Sequence, residues 1–372
     1  MDPIASYLIV SLPQSADSRG WLEQSLNGGK SPIIPFKLDE FQIGTLDSLV
    51  QESEELSKLD QQLGSSVSKI VDILSSVTET SPTRSVLGKP VLNYIESFSW
   101  NTSKYRLDKP IKQLISVIAN EAITLDNDVR ASYQGYQTAK SNYVAADRKK
   151  NGDLSIKSLH DIVKPEQFVL DSDHLTTVLI AVPKNLISDF QHSYETLTDF
   201  VIPRSATVVA TDSEYTLYTV ALFKKYQQEF ITGAREHKWH PRTDFVYSEE
   251  VLNNLRKEFD LTRANESKTK NDLLRLAKTA YSDILAAWFH IKAIRIYVES
   301  ILRYGLPPKF DCSLVKFDKT NKNLAKSKKE LIEKFGYLGG EAFDKNNANL
   351  HEYASLVDTD YEPFVLYEVD IV

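Results

Sequence analysis

Apolar residues recur at every third or fourth position over three long stretches of this chain and at every second position over several short ones, which predicts long helices joined to short strands. The longest uninterrupted helical pattern runs from Ile111 to Lys150, forty residues with one internal glycine, Gly135, and no proline. Asp108 and Pro110 open it and Asn151-Gly152-Asp153 close it, so Asp108 is the expected N-cap and Gly152 the expected stop. At 1.5 Å per residue such a helix is about 60 Å long, more than an ordinary domain's diameter, so part of it should leave a globule. Ile118, Ala122, Leu125, Val129, Ser132, Tyr136, Ala139, Tyr143 and Ala146 alternate steps of four and three, which keeps one narrow seam toward a partner helix. A second pattern begins after Ser248, with Glu249 and Glu250 suited to the positive end of a helix dipole, and stops at Gly305, Pro307 and Pro308. Leu252, Leu255 and Phe259 keep the rhythm toward Leu273, Leu276 and Ala280, but Thr262, Glu266 and Thr269 make its middle polar and loose. Beyond Leu273 apolar residues surround the helix, as they do in a core.

Between the two long helices, His174 to Val182 reads as a strand, Lys184 to Leu197 as a helix, and Ala206 to Thr211 and Tyr215 to Leu222 as alternating strands. A helix from Lys224 to Lys238 and a last strand near Thr243 to Tyr247 complete a β-α-β-β-α-β order, the ferredoxin-like arrangement. Tyr7 to Leu12, Ile33 to Leu38, Phe310 to Phe317 and Phe364 to Ile371 supply further strands. Helices near Ser18, from Thr45 to Val77 and from Asn321 to Phe335 accompany them. The expected fold is α+β: an elongated dumbbell with a ferredoxin-like head (158–247), a two-helix antiparallel coiled-coil-like neck (111–157 and 248–272) and a larger α+β foot from both termini (1–110 and 273–372).

Composition narrows the function. In 372 residues, 44 Lys and Arg stand against 51 Asp and Glu, a net charge of −7 that disfavours nonspecific nucleic-acid or anionic-lipid binding. The single cysteine, Cys312, closes no intrachain disulfide and suits a reducing compartment. No apolar run approaches the roughly 20 residues of a spanning helix, and the Met1–Gln14 stretch lacks a signal peptide's positive charge. A cytoplasmic protein with no membrane insertion is expected.

Residues suited to catalysis are sparse. Gly28-Gly29-Lys30-Ser31 resembles a phosphate loop, but Gln24 stands where the first glycine is required and Pro32 blocks the helix start. His237 and His240 are close enough to share a metal, yet they fall at a helix end where a cation is favoured anyway. His290 sits among Trp288, Phe289 and Ile291, the setting of a core histidine, and Cys312 lies in a strand-like segment. Glu52, Glu54 and Glu55 form an acidic cluster and Arg148, Lys149 and Lys150 a basic one; solvated helix faces are the simpler reading of both. No catalytic residue, cofactor site or metal site is expected.

Several segments carry a closer identification. SEELSKLDQQLG (Ser53 to Gly64), SLHDIVKPEQFVL (Ser158 to Leu170), HLTTVLIAVPK (His174 to Lys184), RLAKTAYSDILAAWFHIKAIRIYVESILRYGLPPKF (Arg275 to Phe310) and YASLVDTDYEPFVLYEV (Tyr353 to Val369) resemble the C-subunit family of the vacuolar-type proton-translocating ATPase (V-ATPase) in its fungal form. The resemblance keeps its order along nearly the whole chain. It implies a non-catalytic stator component of the V1 sector, whose head holds a peripheral stalk, an E–G heterodimer, and whose foot meets another stalk and the N-terminal domain of the membrane-sector a subunit. It also implies reversible release when the two sectors separate, and a place on the cytosolic face of vacuolar and other acidic-organelle membranes. Within that frame Lys224, Lys225, Arg235 and Lys238 are the candidate stalk contacts. An actin-binding coiled-coil adaptor is the alternative expectation.

Overall fold

A computed structural model describes residues 3–16, 18–26, 32–78, 84–169, 172–245, 249–317, 323–343 and 362–372. In chain order its elements begin with β1 (Ala5–Pro13), α1 (Ser18–Ser25), β2 (Ile33–Pro35), α2 (Leu46–Val77), β3 (Ser85–Val86), β4 (Lys89–Pro90), α3 (Val91–Glu96) and α4 (Ile111–Asn151). There follow β5 (Leu175–Pro183), α5 (Ile187–Ser193), β6 (Thr207–Thr211), β7 (Tyr215–Phe223), α6 (Gln227–Glu236), β8 (His240–Pro241), α7 (Glu249–Tyr304), β9 (Phe310–Phe317), α8 (Leu324–Phe335) and β10 (Val365–Ile371). Helix and antiparallel sheet together make an α+β chain. It divides into two compact units, Met1–Tyr133 with Asp272–Val372 and Gln134–Asn271.

The first unit is built on the antiparallel sheet β10-β1-β9-β2. β1 is its centre: Ser6 to Ser11 pair with β10 on one side and with β9 on the other. Alternate residues serve two cores, as strand geometry requires. Tyr7 and Ile9 face a cluster that includes Leu56, Leu63, Ile284 and Phe289 of α2 and α7, while Leu8, Val10 and Leu12 face Leu22 of α1 and Leu331 and Phe335 of α8. A strand covered on both faces reads as a continuous apolar run, which is why Tyr7-Leu8-Ile9-Val10 shows no alternation. α2 starts at an N-cap, Thr45, whose hydroxyl accepts the Ser48 amide at 3.3 Å. α7 stops where Gly305 takes φ +82°, a conformation cheap for glycine, and donates to Ile301 O at 2.8 Å.

The second unit carries the sheet β6-β7-β5-β8, antiparallel throughout. Each crossover thus leaves a gap that a strand of the other crossover fills. β5 and β7 are the inner strands, and both faces are covered. Phe190 of α5 and Phe230, Ile231 and Ala234 of α6 pack on Val178, Ile180, Val220 and Leu222, while Leu154, Leu159 and Val163 cover Leu179, Ala181 and Leu217. Within this unit the end of α4 meets the start of α7, with the rings of Tyr143 and Phe259 5.8 Å apart and Lys150 Nζ 3.9 Å over the Phe259 ring.

Four local expectations are corrected. Asp108 is held by Arg106 through two hydrogen bonds of 3.1 and 2.7 Å, and Pro110 precedes the first helical residue of α4, its carbonyl accepting from Gln113 and Leu114. The helix expected over Lys184–Leu197 is regular α-helix only over α5, about two turns, with 3-10 turns directly before and after it. Among the described residues the last strand of the second unit is His240–Pro241; of the strand expected over Thr243–Tyr247, 243–245 lie off the sheet and 246–247 fall outside the described residues. The buried Arg242 guanidinium donates to Leu154 O (2.8 Å) and to both oxygens of Asp244 (3.0 and 2.9 Å), which turns the chain off the sheet. β2 ends at Pro35 rather than Leu38, since Pro35 has no amide for the ladder and Phe36 turns in to stack on Phe98 at 5.1 Å.

Candidate functional site

The candidate surface lies on the second unit, around α6. β7 runs out at Phe223 into a 3-10 turn, Lys224–Tyr226, from which α6 continues. The inner face of α6 is buried through Phe230, Ile231 and Ala234, so its polar positions face water. Lys224, Lys225, Arg235 and Lys238 are all exposed. They do not form one cluster. Arg235 follows Lys225 by ten positions, about 15 Å along a helix at 1.5 Å per residue, and Lys238 lies farther still.

The two pairs stand in different electrostatic settings. Arg235, in the last turn, suits the negative end of the helix dipole. Lys224 and Lys225 stand before the positive end, where the dipole opposes them, and the helix has no side-chain N-cap bond to offset it. Helix stability therefore does not account for the lysine pair. Lys224 is fixed through its backbone, whose amide donates to His174 O at 2.8 Å, and Lys225 Nζ lies 5.7 Å from the Tyr226 ring centroid. Arg235 and Lys238 border an open concavity of about 680 Å³ shared with Trp239, His240, Arg242 and Asp244. Hydrogen bonds from Arg242 hold the Asp244 carboxyl below the ordinary carboxylate range, so this acid is already partnered. The remaining charge of the concavity is that of Arg235 and Lys238.

Three aromatic residues beside the lysine pair were not among the sequence candidates. Phe200 is 59% exposed, and its ring lies 5.6 Å from Phe223 and 5.2 Å, stacked, from Tyr226. The motif Phe223-Lys224-Lys225-Tyr226, two cations bracketed by rings, was the readable half of this signal; Phe200 joins it only in the folded chain.

The other candidates resolve into structural roles. His290 is buried: its Nδ1–H donates to Ala286 O at 2.7 Å, and its Nε2 accepts the Asn101 amide at 3.1 Å. Desolvation pushes its pKa down to about 4, so the ring is neutral at pH 7. Because the unfolded ring titrates near 6.5, the unfolded chain binds the extra proton between those values, and stability is lost as pH falls from 6.5 toward 4. The expected loss over that window is about 3 kcal/mol. Urea midpoints at pH 7 and 4.5 check it, with His290→Gln showing a flatter dependence than the parent chain.

Burial pushes the Cys312 thiol up to about 12, far from an activated thiolate. Glu52, grouped with Glu54 and Glu55 on a solvated face, is instead buried, and desolvation raises its pKa against the lowering influence of Lys112. His237 meets the Asp189 carboxylate at 3.3 Å. Arg148, Lys149 and Lys150 are exposed, and Gly28–Ser31 lie outside the described residues. Among the described residues there is no group of three or more His, Cys, Asp or Glu placed to hold a metal, and no helix long and apolar enough to cross a membrane.

The family model for the V-ATPase C subunit matches residues 7–365. The V-type proton ATPase C subunit of Saccharomyces cerevisiae is 52% identical over 385 aligned positions, covering 98% of this chain and 97% of that protein. The C subunit 1-A of Danio rerio is 36% identical, covering 90% and 88%, and the C subunit of Caenorhabditis briggsae 34%, covering 98% and 96%. A solved cytoplasmic N-terminal domain of the V-ATPase I subunit, a homologue of the a subunit, overlays with a TM-score of 0.33 at 14% identity, covering 90% of this chain and 98% of that one. So slight a likeness carries no structural conclusion. Matched almost from end to end, this chain belongs to the V-ATPase C-subunit family, a V1-sector component of a proton-transporting ATPase.

Proposed function

We propose that the chain is a non-catalytic stator component, tying peripheral stalks (E–G heterodimers) to the N-terminal domain of the membrane-sector a subunit. The observation that carries this reading is the near-full-length match to the V-ATPase C subunit. In this reading 158–247 is a ferredoxin-like head, 111–157 and 248–272 form an antiparallel neck, and 1–110 with 273–372 form a foot, the whole an elongated dumbbell. The protein works peripherally, on the cytosolic face of vacuolar and other acidic-organelle membranes. Two modest interfaces on one chain bind by avidity: joint occupancy is strong although each bond is weak, and breaking one frees the other quickly. That arithmetic suits a component needed for assembly and released when V1 and the membrane sector separate.

Lys224, Lys225, Arg235 and Lys238 support the stalk contact by their exposure and by their sign in a chain of net charge −7. Calorimetric titration of the full chain with a purified E–G heterodimer is expected to show one-to-one binding. Lys224→Glu with Lys225→Glu, and separately Arg235→Glu with Lys238→Glu, are expected to weaken it, by about tenfold for the pair at the contact, mainly through slower association and with a steeper loss at low salt. Unaltered affinity in both variants would remove these residues from the interface. Absence of binding by the parent chain would remove the tether itself.

A further inference from the structure

We propose that Phe200, Phe223 and Tyr226 form the anchor of this surface, a preformed aromatic seat for the apolar stripe of an acidic amphipathic helix. The inference rests on the stalk reading above for the identity of that helix, and adds where its binding energy is concentrated.

Three observations carry it. First, the rings form a contact group on the outside of the fold: Phe200 touches both others, yet it is 59% exposed and Phe223 is 36% exposed. Single exposed apolar side chains are ordinary, but rings clustered on the water side are what an interface centre supplies. Second, Phe200 has φ +61°, in the left-handed region that L side chains rarely adopt. Its carbonyl accepts the Phe223 amide at 3.3 Å, and Val201 forms a bridge to Leu222, so the strained residue is pinned beside β7 with its ring outward. A glycine would hold this backbone with less strain and expose no ring, so the phenylalanine is not explained by the fold.

Third, the lysine pair beside the rings selects the partner. Lys224, Lys225 and Arg204 are exposed around the group. The exposed Glu195 carboxylate accepts from the Arg204 amide (2.9 Å) and the Tyr194 hydroxyl (2.9 Å), neutral donors that leave its charge in place. With Asp173, Asp199 and Glu229, the other exposed acids of the flanking segments, it leaves the neighbourhood without a cationic excess, so the cationic feature specific to the rings is the lysine pair set between Phe223 and Tyr226. A helix with an apolar stripe flanked by Glu or Asp matches that feature: its stripe covers the rings and its acids meet Lys224 and Lys225. Rings with lysines also suit a bilayer surface, but the bordering acids and the negative chain give an anionic bilayer little charge to gain.

The test uses the full chain and the variants Phe200→Gly and Tyr226→Ala, with the E–G heterodimer and phosphatidylserine vesicles as probes. Phe200→Gly removes the ring and relieves the backbone, so its thermal midpoint is expected to equal or exceed that of the parent chain while its affinity for the heterodimer falls about 30-fold, the size of a hot-spot loss. Tyr226→Ala should weaken binding in the same direction. Parent-like affinity in both variants overturns the aromatic anchor and leaves the stalk reading standing. Absence of heterodimer binding by the parent chain overturns both. Vesicle binding that Phe200→Gly abolishes, with heterodimer affinity unchanged, assigns the rings to a membrane and overturns the proposal.

Discussion

Asp60→Ala is expected to cost about 3–5 kcal/mol, the range for removing one partner of a buried ion pair. Asp60 lies on the face of α2 turned to α7, where Trp288, Lys292 and Arg295 follow one another at helical spacing. Trp288 Nε1–H donates to one carboxylate oxygen at 2.6 Å; Lys292 Nζ lies 2.8 Å from that oxygen and 3.0 Å from the other, to which Arg295 donates at 2.6 Å. Asp60 is 5% exposed and Lys292 4%, so neither charge can turn to water. The Tyr367 ring stands over both cations, its centroid 5.9 Å from Lys292 Nζ and 4.4 Å from Arg295 Cζ. Close packing fixes the geometry: a Cβ on Gly64, one turn from Asp60, would come within 3.0 Å of the Trp288 ring.

Without the carboxylate two cations face one another in a dry site. Lys292, whose pKa burial already lowers, limits the cost by giving up its proton, which is why the loss is several kcal/mol and not tens. Asp60→Leu combined with Lys292→Met should recover much of it, since a packed apolar pair needs no compensating charge. The pH signature is specific. Burial raises the Asp60 pKa, but the charges of Lys292 and Arg295 outweigh it and hold it below its ordinary 3.8. A depressed carboxylate pKa contributes stability above the unfolded value and loses it as pH falls below 3.8. Guanidinium midpoints at pH 7 and 3 should therefore differ more for the parent chain than for the Asp60→Leu, Lys292→Met double variant, in which neither group is left to titrate. A loss under 1 kcal/mol at pH 7 would show that the cluster contributes no net stability.

These residues also show what was legible in the sequence and what was not. The segments around Asp60 and around Trp288, Lys292 and Arg295 are among those that carry the family resemblance, yet they lie 228 or more positions apart, and no periodicity announces that they meet. α4 and α7 were readable because a seam at steps of four and three needs only local sequence, and β1 and β5 because strands covered on both faces are continuous apolar runs. Where the chain's course depends on a distant group, local reading failed. The turn at Arg242 depends on Leu154 O, and the strand expected at Thr243 gave way to it. The candidate surface was half legible for the same reason: Lys224 and Lys225 are adjacent in sequence, while Phe200 reaches them only because Val201 bridges to Leu222.

Phe190→Ala should be the most damaging single truncation in the second unit, about 3–5 kcal/mol for a buried phenylalanine. Phe190 is fully buried, its ring 4.6 Å from Tyr218, 5.0 Å edge-on from Trp239 and 5.2 Å stacked on Tyr194. α5 has seven residues, too few to hold a helix by its own hydrogen bonds, so its position depends on that ring. The four core clusters each lie within one unit, which makes the damage local. Hydrogen exchange on the variant should show lost amide protection across β5, β6 and β7, with β1, β9 and β10 still protected. Equal loss in both sheets would mean that the units unfold as one. Because Phe230, Ile231 and Ala234 anchor α6 in the same cluster, stalk affinity should fall together with this local stability. Phe200→Gly is expected to separate the two, leaving stability intact and affinity lost. That contrast tells a residue that builds the surface from one that uses it.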